Sequence, residues 1–347
     1  MNPTVSVLMP VYNCADFIES SVESILLQTF SDFEFLIIDD FSTDGTYEYL
    51  QSLTDSRIKL IRKSKNTGYA ISLNIGLNNA RGKYIARMDA DDISLPERFA
   101  RQVSFMDNQP EVVVCGSWYE NIGNGKGLVK YPLKNEELKI SLLEFNAIGH
   151  PTVIMRKSVL DQFDLRYDEN MDPAEDHDFW IRIARYGKLA NIGERLLLYR
   201  IHYKQESFVK KELQDLKSEQ CQLKGLQQVN SIIERKNFSY NPNESDTLND
   251  IINQLLRVQS EWEELSNKNK LVKYYDIVLF KNYTRLKAAN IIRSYFLSRE
   301  NKNYKTATIF LWRGTSFFKY FNKKEIIKIA LSGLCNSFKS FLVKEKH

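Results

Sequence analysis

Tyr84-Ile85-Ala86-Arg87-Met88 runs with no polar linker into Asp89-Ala90-Asp91-Asp92, a largely apolar segment that ends in three carboxylates. A short apolar run bounded in this way fits a buried strand, and in an open α/β sheet ligands bind in the crevice beyond the carboxyl ends of the strands. Carboxylates crowded there repel one another unless a cation, typically Mg2+ or Mn2+, sits between them and a bound phosphate. The competing explanation is an Asp-rich helix cap, because Ser94-Leu95-Pro96-Glu97 opens a helix just afterwards. The rest of the chain decides between the two.

Outward from this stretch, residues 4–118 alternate β-type apolar runs with helical patterns. Thr4–Met9, Phe33–Asp39, Arg57–Ile61, Lys83–Met88 and Val112–Cys115 read as strands whose continuous Val, Ile and Leu content suits parallel strands covered on both faces. Asp16–Gln28, Gly68–Ala80 and Leu95–Asn108 read as crossover helices, the first with Asp16 and Glu19 at capping-box spacing. Repeated βαβ units predict an α/β fold: a doubly wound, mostly parallel sheet with helices on both faces. Beyond about residue 205 the pattern turns to long polar helices, broken near Asn237–Glu244. The expected division is a catalytic domain over 1–208 and a helical C-terminal region over 209–347.

The chain of 347 residues is 43% hydrophobic and 27% charged, an ordinary globular composition. Cys14, Cys115, Cys221 and Cys335 are scattered, which argues against a zinc site or a disulfide framework and for a reducing cytoplasm. The run Val5–Val11 has no basic residues before it, unlike a secretory signal, and no stretch reaches the roughly 18 apolar residues of a membrane span. Net charge is +4, yet residues 301–347 alone carry ten Lys/Arg against Glu325 and Glu345. Within that tail Ile326, Ile327, Ala330, Leu331, Leu334, Phe338, Phe341 and Leu342 form an apolar stripe. Such a basic amphipathic helix either lies on an anionic membrane surface or packs on protein. No nucleic-acid partner is expected.

Polar residues gather at the other strand ends as well. Met9-Pro10-Val11-Tyr12-Asn13 closes the first strand and Asp39-Asp40-Phe41-Ser42 the second, so that a ring, an amide and a carboxylate converge. A base stacked on Tyr12 and bonded to Asp40 would suit them; a capped, solvated turn is the alternative. Asn66-Thr67-Gly68 opens a helix whose N-terminus welcomes an anion. Gly123-Asn124-Gly125-Lys126-Gly127 does not link a strand to a helix and reads as a turn.

Taken in order, V-S-V-L-M-P-V-Y-N, I-I-D-D-F-S-T-D-G-T, N-T-G, Y-I-A-R-M-D-A-D-D and E-D-H-D-F-W closely resemble the family 2 glycosyltransferases of GT-A fold, over roughly residues 4–205. The resemblance implies transfer of a sugar, with inversion, from a nucleotide-sugar donor to an acceptor hydroxyl. It assigns Pro10 and Tyr12 to the nucleotide cradle, Asp40 to the base, Asn66 to the loop over the nucleotide, and Asp91 to the metal, with Asp89 nearer the ribose or a metal-bound water. In Glu175-Asp176-His177-Asp178-Phe179-Trp180 it makes Asp176 the general base and Glu175 its orienting or acceptor-binding neighbour; a solvated acidic first turn of a helix is the alternative. The segment Arg200-Ile201-His202 resembles a loop that closes over the donor, with His202 on metal or pyrophosphate and Arg200 on phosphate. His150 reads as a hydrogen-bonded structural histidine. A UDP-sugar donor follows from the family, dTDP and GDP staying open, and the acceptor implied is a cell-surface glycan or lipid-linked glycan, made on the inner face of the cell membrane. Nucleotidyl transfer is disfavoured by the lack of an early Gly-rich loop bearing Arg and Lys, and an inactive glycan-binding scaffold by the presence of both Asp91 and Asp176.

Overall fold

All seven residues of β1 (Val5–Val11) and of β2 (Phe33–Asp39) are buried, and the two strands pair in parallel from Val5 opposite Phe33 to Val11 opposite Asp39. Period-two alternation sends their side chains into two separate cores. Val5, Val7, Met9, Phe35 and Ile37 meet Ile18, Val22 and Ile25 of α1 (Ile18–Leu26) and Phe99, Val103 and Met106 of α4 (Arg98–Asn108). On the other face Leu8, Leu36 and Ile38 meet Ala70, Leu73 and Leu77 of α3 (Tyr69–Asn79) and Phe179, Trp180 and Ile183 of α7 (Glu175–Ile183). At Gly76 a Cβ would stand 1.9 Å from Leu8 Cδ1, so glycine is what lets α3 lie this close to β1. The computed structural model describes residues 2–205, 209–232, 234, 248–297, 326 and 329.

The sheet runs β3 (Ile58–Arg62), β2, β1, β4 (Tyr84–Arg87), β8 (Ile154–Arg156), β6 (Val112–Gly123), β9 (Lys188–Ile201), β5 (Ile93–Ser94), with β7 (Gly127–Val129) added to β6. Strands β3, β2, β1 and β4 are parallel, as a doubly wound sheet requires. Past β4 the sheet is mixed: β8 is antiparallel to both β4 and β6, and β9 is parallel to β6. The fold is therefore α/β with helices on both faces, parallel in its first half and mixed in its second.

Three details depart from the sequence reading. The Asp16/Glu19 capping box is absent: the residue before α1 is Phe17, with no side-chain cap, and Asp16 pairs with Lys204 at 3.1 Å. Ile93–Ser94 forms a short strand, β5, against β9, which delays α4 to Arg98. The strand expected over Val112–Cys115 continues to Gly123, where a turn leads into β7 (Gly127–Val129), so Gly123–Gly127 is a turn as expected.

The chain divides into two compact units, Met1–Gly225 and Leu226–His347. The first takes in most of the helix Lys211–Leu226, which the sequence pattern placed in the C-terminal region; Cys221 is part of its core and Gln214 Nε2 donates to the Pro173 carbonyl at 3.0 Å. The second holds the helices Leu248–Val272 and Ile277–Leu297, with Leu255, Val258, Leu265 and Ile292 buried and Trp262 edge-on to Tyr283. Both the break near Asn237–Glu244 and, except for Ile326 and Ile329, the amphipathic tail lie outside the described residues. Among the described residues no helix is long and apolar enough to cross a membrane.

Candidate active site

At the end of β4 the chain turns through Asp89, Asp91 and Asp92, whose ligand atoms lie within 4.8 Å of one another. The strand end is held by the buried Arg98, whose Nη2 donates to the Arg87 carbonyl at 2.7 Å and to that of Val153 at 3.2 Å. Asp92 is fully buried; its Oδ1 accepts from the Arg200 backbone at 2.8 Å, and its Oδ2 has no hydrogen-bond partner among the described residues. Burial, then the charges of Asp91 and Asp89, push its carboxyl well above the usual range. Burial likewise raises Asp89 to about 6, Asp91 and Asp176 adding to the rise and Arg87 opposing it. A helix cap would be solvated and hydrogen-bonded to helix N–H groups. This turn is instead a set of hard oxygen ligands with an orphaned buried oxygen, which fits a divalent cation.

The loop after β9 completes the cluster. His202 Nε2 lies 2.9 Å from Asp91 Oδ2, its ring packed 4.7 Å from Phe17. Arg200 Nε donates to the Asp91 carbonyl at 2.8 Å and its guanidinium lies over Phe17 at 5.0 Å, so its side chain braces the acidic turn.

The end of β1 adjoins this cluster, as the Cys14 thiol shows: burial raises it to about 12, with Asp91 and Asp89 contributing. Tyr12 is half exposed, Pro10 is buried in β1, and Asn66 is exposed on the loop before α3. Asp40 is buried rather than in a solvated turn. Its Oδ1 and Oδ2 accept from the Thr67 and Gly68 N–H groups at 2.9 Å each, and Lys63 Nζ lies 2.7 Å from Oδ1. It therefore latches the loop bearing Asn66 to the end of β2.

Asp176 and Glu175 begin α7 and are not solvated either. Asp176 Oδ2 accepts from Asn146 Nδ2 at 2.6 Å and Oδ1 from the His177 N–H at 2.7 Å; burial raises its carboxyl, and these bonds hold the rise in check. His150, buried and bonded to the Tyr167 hydroxyl at 3.0 Å, brings Nδ1 to 4.0 Å from Glu175 and 3.9 Å from Asp176. It is hydrogen-bonded, as expected, and burial drives it well below its ordinary pKa, so it stays neutral. Asp178 is spent on Arg182 at 2.7 Å and Lys224 at 2.6 Å.

Arg87 and Tyr69 join the two acidic motifs. Arg87 is buried and pairs with Asp89, and its guanidinium lies over the Tyr69 ring at 5.3 Å. Tyr69 donates its hydroxyl to Asp89 at 3.0 Å and sets its ring 6.1 Å from His150. Sequence reasoning passed over Asp92, Arg87, Tyr69 and Asn146. Asp92 stood in the quoted motif and Arg87 was an anomalous charge inside an apolar strand, two usable signals; Tyr69 and Asn146 carried none.

Comparisons with known proteins bear on the family and the fold. The family described as Glycosyl transferase family 2 matches residues 6–163. An uncharacterised glycosyltransferase of Haemophilus influenzae is 37% identical over 220 residues, covering 60% of this chain and 68% of its own. The Escherichia coli protein WfgD, named as a UDP-Glc:alpha-D-GlcNAc-diphosphoundecaprenol beta-1,3-glucosyltransferase, is 30% identical over 213 residues, covering 61% of this chain and 82% of its own. The crystal structure of S. aureus TarS 1-349 in complex with UDP-GlcNAc superposes with a TM-score of 0.54 at 19% identity, covering 82% of this chain and 91% of that one, and so shares the fold.

Proposed function

The chain belongs to glycosyl transferase family 2, and from that premise we propose that it moves a sugar, with inversion, from a UDP-sugar to a hydroxyl of a glycan acceptor in cell-surface polysaccharide synthesis. The observation that carries the reading is the pairing of a half-buried, cation-ready acidic turn with a second half-buried carboxylate, Asp176, across Arg87, Tyr69 and His150. A donor of UDP type and a lipid-linked acceptor are supported by WfgD, whose name specifies both.

In this reading Asp91, His202 and Asp92 would hold Mg2+ or Mn2+, and Asp89 would serve the ribose or a metal-bound water. When bound, the cation supplies Lewis-acid stabilisation of the charge that develops on the departing diphosphate. Tyr12 stacks on the base, and the loop that Asp40 latches carries Asn66 over the nucleotide. Arg200 keeps the acidic turn in place through its Nε–H on the Asp91 carbonyl, with its terminal N–H groups turned to the diphosphate. Asp176 takes the proton from the acceptor hydroxyl as it attacks. Burial raises its basicity toward neutrality, which is what a general base needs. Glu175 and the neutral His150 fill the space beside it and orient it.

The test is thermal unfolding with UDP, GDP and dTDP, each with and without Mn2+, since a ligand held only by the native state raises apparent stability. Manganese-dependent stabilisation by UDP is expected. Stabilisation by none of the three would sink the transferase reading and leave a glycan-binding scaffold.

A further inference from the structure

Between the acidic turn and Asp176 runs an unbroken row of rings. Tyr199 of β9 packs on Tyr119 of β6 with centroids 5.2 Å apart; Tyr119 packs on Tyr131 at 6.0 Å, their hydroxyls 3.3 Å apart; Tyr131 lies 6.5 Å from Phe145 and within 26° of parallel. Carboxylates flank the row at both ends. After burial, Asp92, Asp89 and Asp91 raise the Tyr199 phenol, and Asp176 contributes to raising that of Tyr131. The last ring is different from the others: Phe145 is 45% exposed.

An exposed phenyl contributes little to folding, yet this one is held in place. The Glu144 and Phe145 N–H groups both donate to the Ser141 carbonyl, at 2.8 and 2.9 Å, and Gln222 Nε2 donates to the Glu144 carbonyl at 2.9 Å. The next residue, Asn146, gives its amide N–H to Asp176, and its Oδ1, shielded from solvent, has no hydrogen-bond partner among the described residues. An exposed aromatic face and a carboxylate thus lie on either side of Asn146. A pyranose matches that set, because the C–H groups of one face are apolar and its hydroxyls project around the rim.

We propose that Phe145, backed by Tyr131, is the platform on which the terminal pyranose of the acceptor stacks, with Asp176 facing the hydroxyl that reacts. The platform rests on the transferase reading only for the role of Asp176. It is a specificity determinant: a ring at this height selects acceptors with an unobstructed apolar sugar face.

The experiment is saturation-transfer NMR with methyl β-D-glucopyranoside and methyl α-D-N-acetylglucosaminide as probes, on the full chain and on Phe145→Ala and Phe145→Trp. Ring C–H protons of at least one probe receive saturation from the native protein and from Phe145→Trp, and affinity falls about tenfold in Phe145→Ala, the loss of an aromatic contact of about 1.4 kcal/mol. Equal saturation in Phe145→Ala and native protein, or none from the native protein, overturns the platform. Stabilisation by UDP and Mn2+, measured on the same native sample, judges the transferase reading separately: if it is absent while the probes still depend on Phe145, the platform stands and the transferase falls.

Discussion

His202 Nε2 meets Asp91 Oδ2 at 2.9 Å, joining the loop after β9 to the end of β4 across 111 residues of chain. The two groups expected to hold the cation are already in register. Asp91→Ala should remove manganese-dependent stabilisation by UDP altogether. His202→Ala should weaken manganese binding by at least about 10- to 100-fold, the range for losing an outer partner alone and so a floor for losing a ligand. Calorimetric titration with Mn2+ in the presence of UDP measures both, and native-like affinity in His202→Ala would return His202 to an ordinary loop residue.

The stacked carboxyls give the cation-free protein a pH signature. Asp89, raised to about 6, and Asp92, raised well above the usual carboxylate range by burial, keep protons in the folded state that the unfolded chain releases near its ordinary value of about 4. Their contribution to stability is therefore greatest below about pH 4 and declines as pH rises from there through the folded values, about 6 for Asp89. Asp92→Asn removes one of these groups and should flatten that decline while also reducing the gain from Mn2+. Melting temperatures between pH 5 and 8, with and without Mn2+, decide it; an unchanged slope in the variant would show that Asp92 does not titrate in this window.

Asp176→Asn should leave UDP binding intact and lower transfer by about 100- to 10,000-fold, the usual worth of general-base assistance. Because burial raises the Asp176 carboxyl, the acid limb of the native pH–rate profile should lie above the ordinary value of about 4. Asn146 donates the bond that holds this carboxyl down, so Asn146→Ala should move the limb to still higher pH. A limb that stays in place in Asn146→Ala would assign the base elsewhere.

Asp40 and Lys63 are a buried pair, their side chains 6% and 8% exposed. Asp40→Ala leaves the Lys63 charge without its counter-ion, though Nζ keeps Ser72 Oγ at 3.0 Å, and takes the acceptor from the Thr67 and Gly68 N–H groups, so it should cost about 3–5 kcal/mol of stability. Asp40→Asn keeps one acceptor and should cost less. Urea unfolding gives the difference; equal stabilities for the two variants would mean that the loop does not depend on the carboxylate.

The strands of the parallel half were legible because their pattern is local. Val5–Val11 and Phe33–Asp39 are apolar on both faces, and only a strand covered on both sides tolerates that. The length of β6, the small strand at Ile93–Ser94 and the uncapped start of α1 were not legible, because each is set by a partner far along the chain: β9 for the two strands and His202, packed on Phe17, for the helix.

The sequence by itself determined which residue types end the strands, the order of the motifs and hence the family, since these follow from side-chain chemistry and neighbours a few residues apart. Only the tertiary structure decided that Asp92 is buried with an oxygen unpaired, that Asp40 is a latch, that Asn146 steadies Asp176 and that Phe145 stands exposed beside it. The physical reason is that desolvation and hydrogen-bond pairing are properties of a site. A carboxylate or a ring has the same identity in a solvated turn as in a buried cleft, and which of the two it occupies depends on long-range packing.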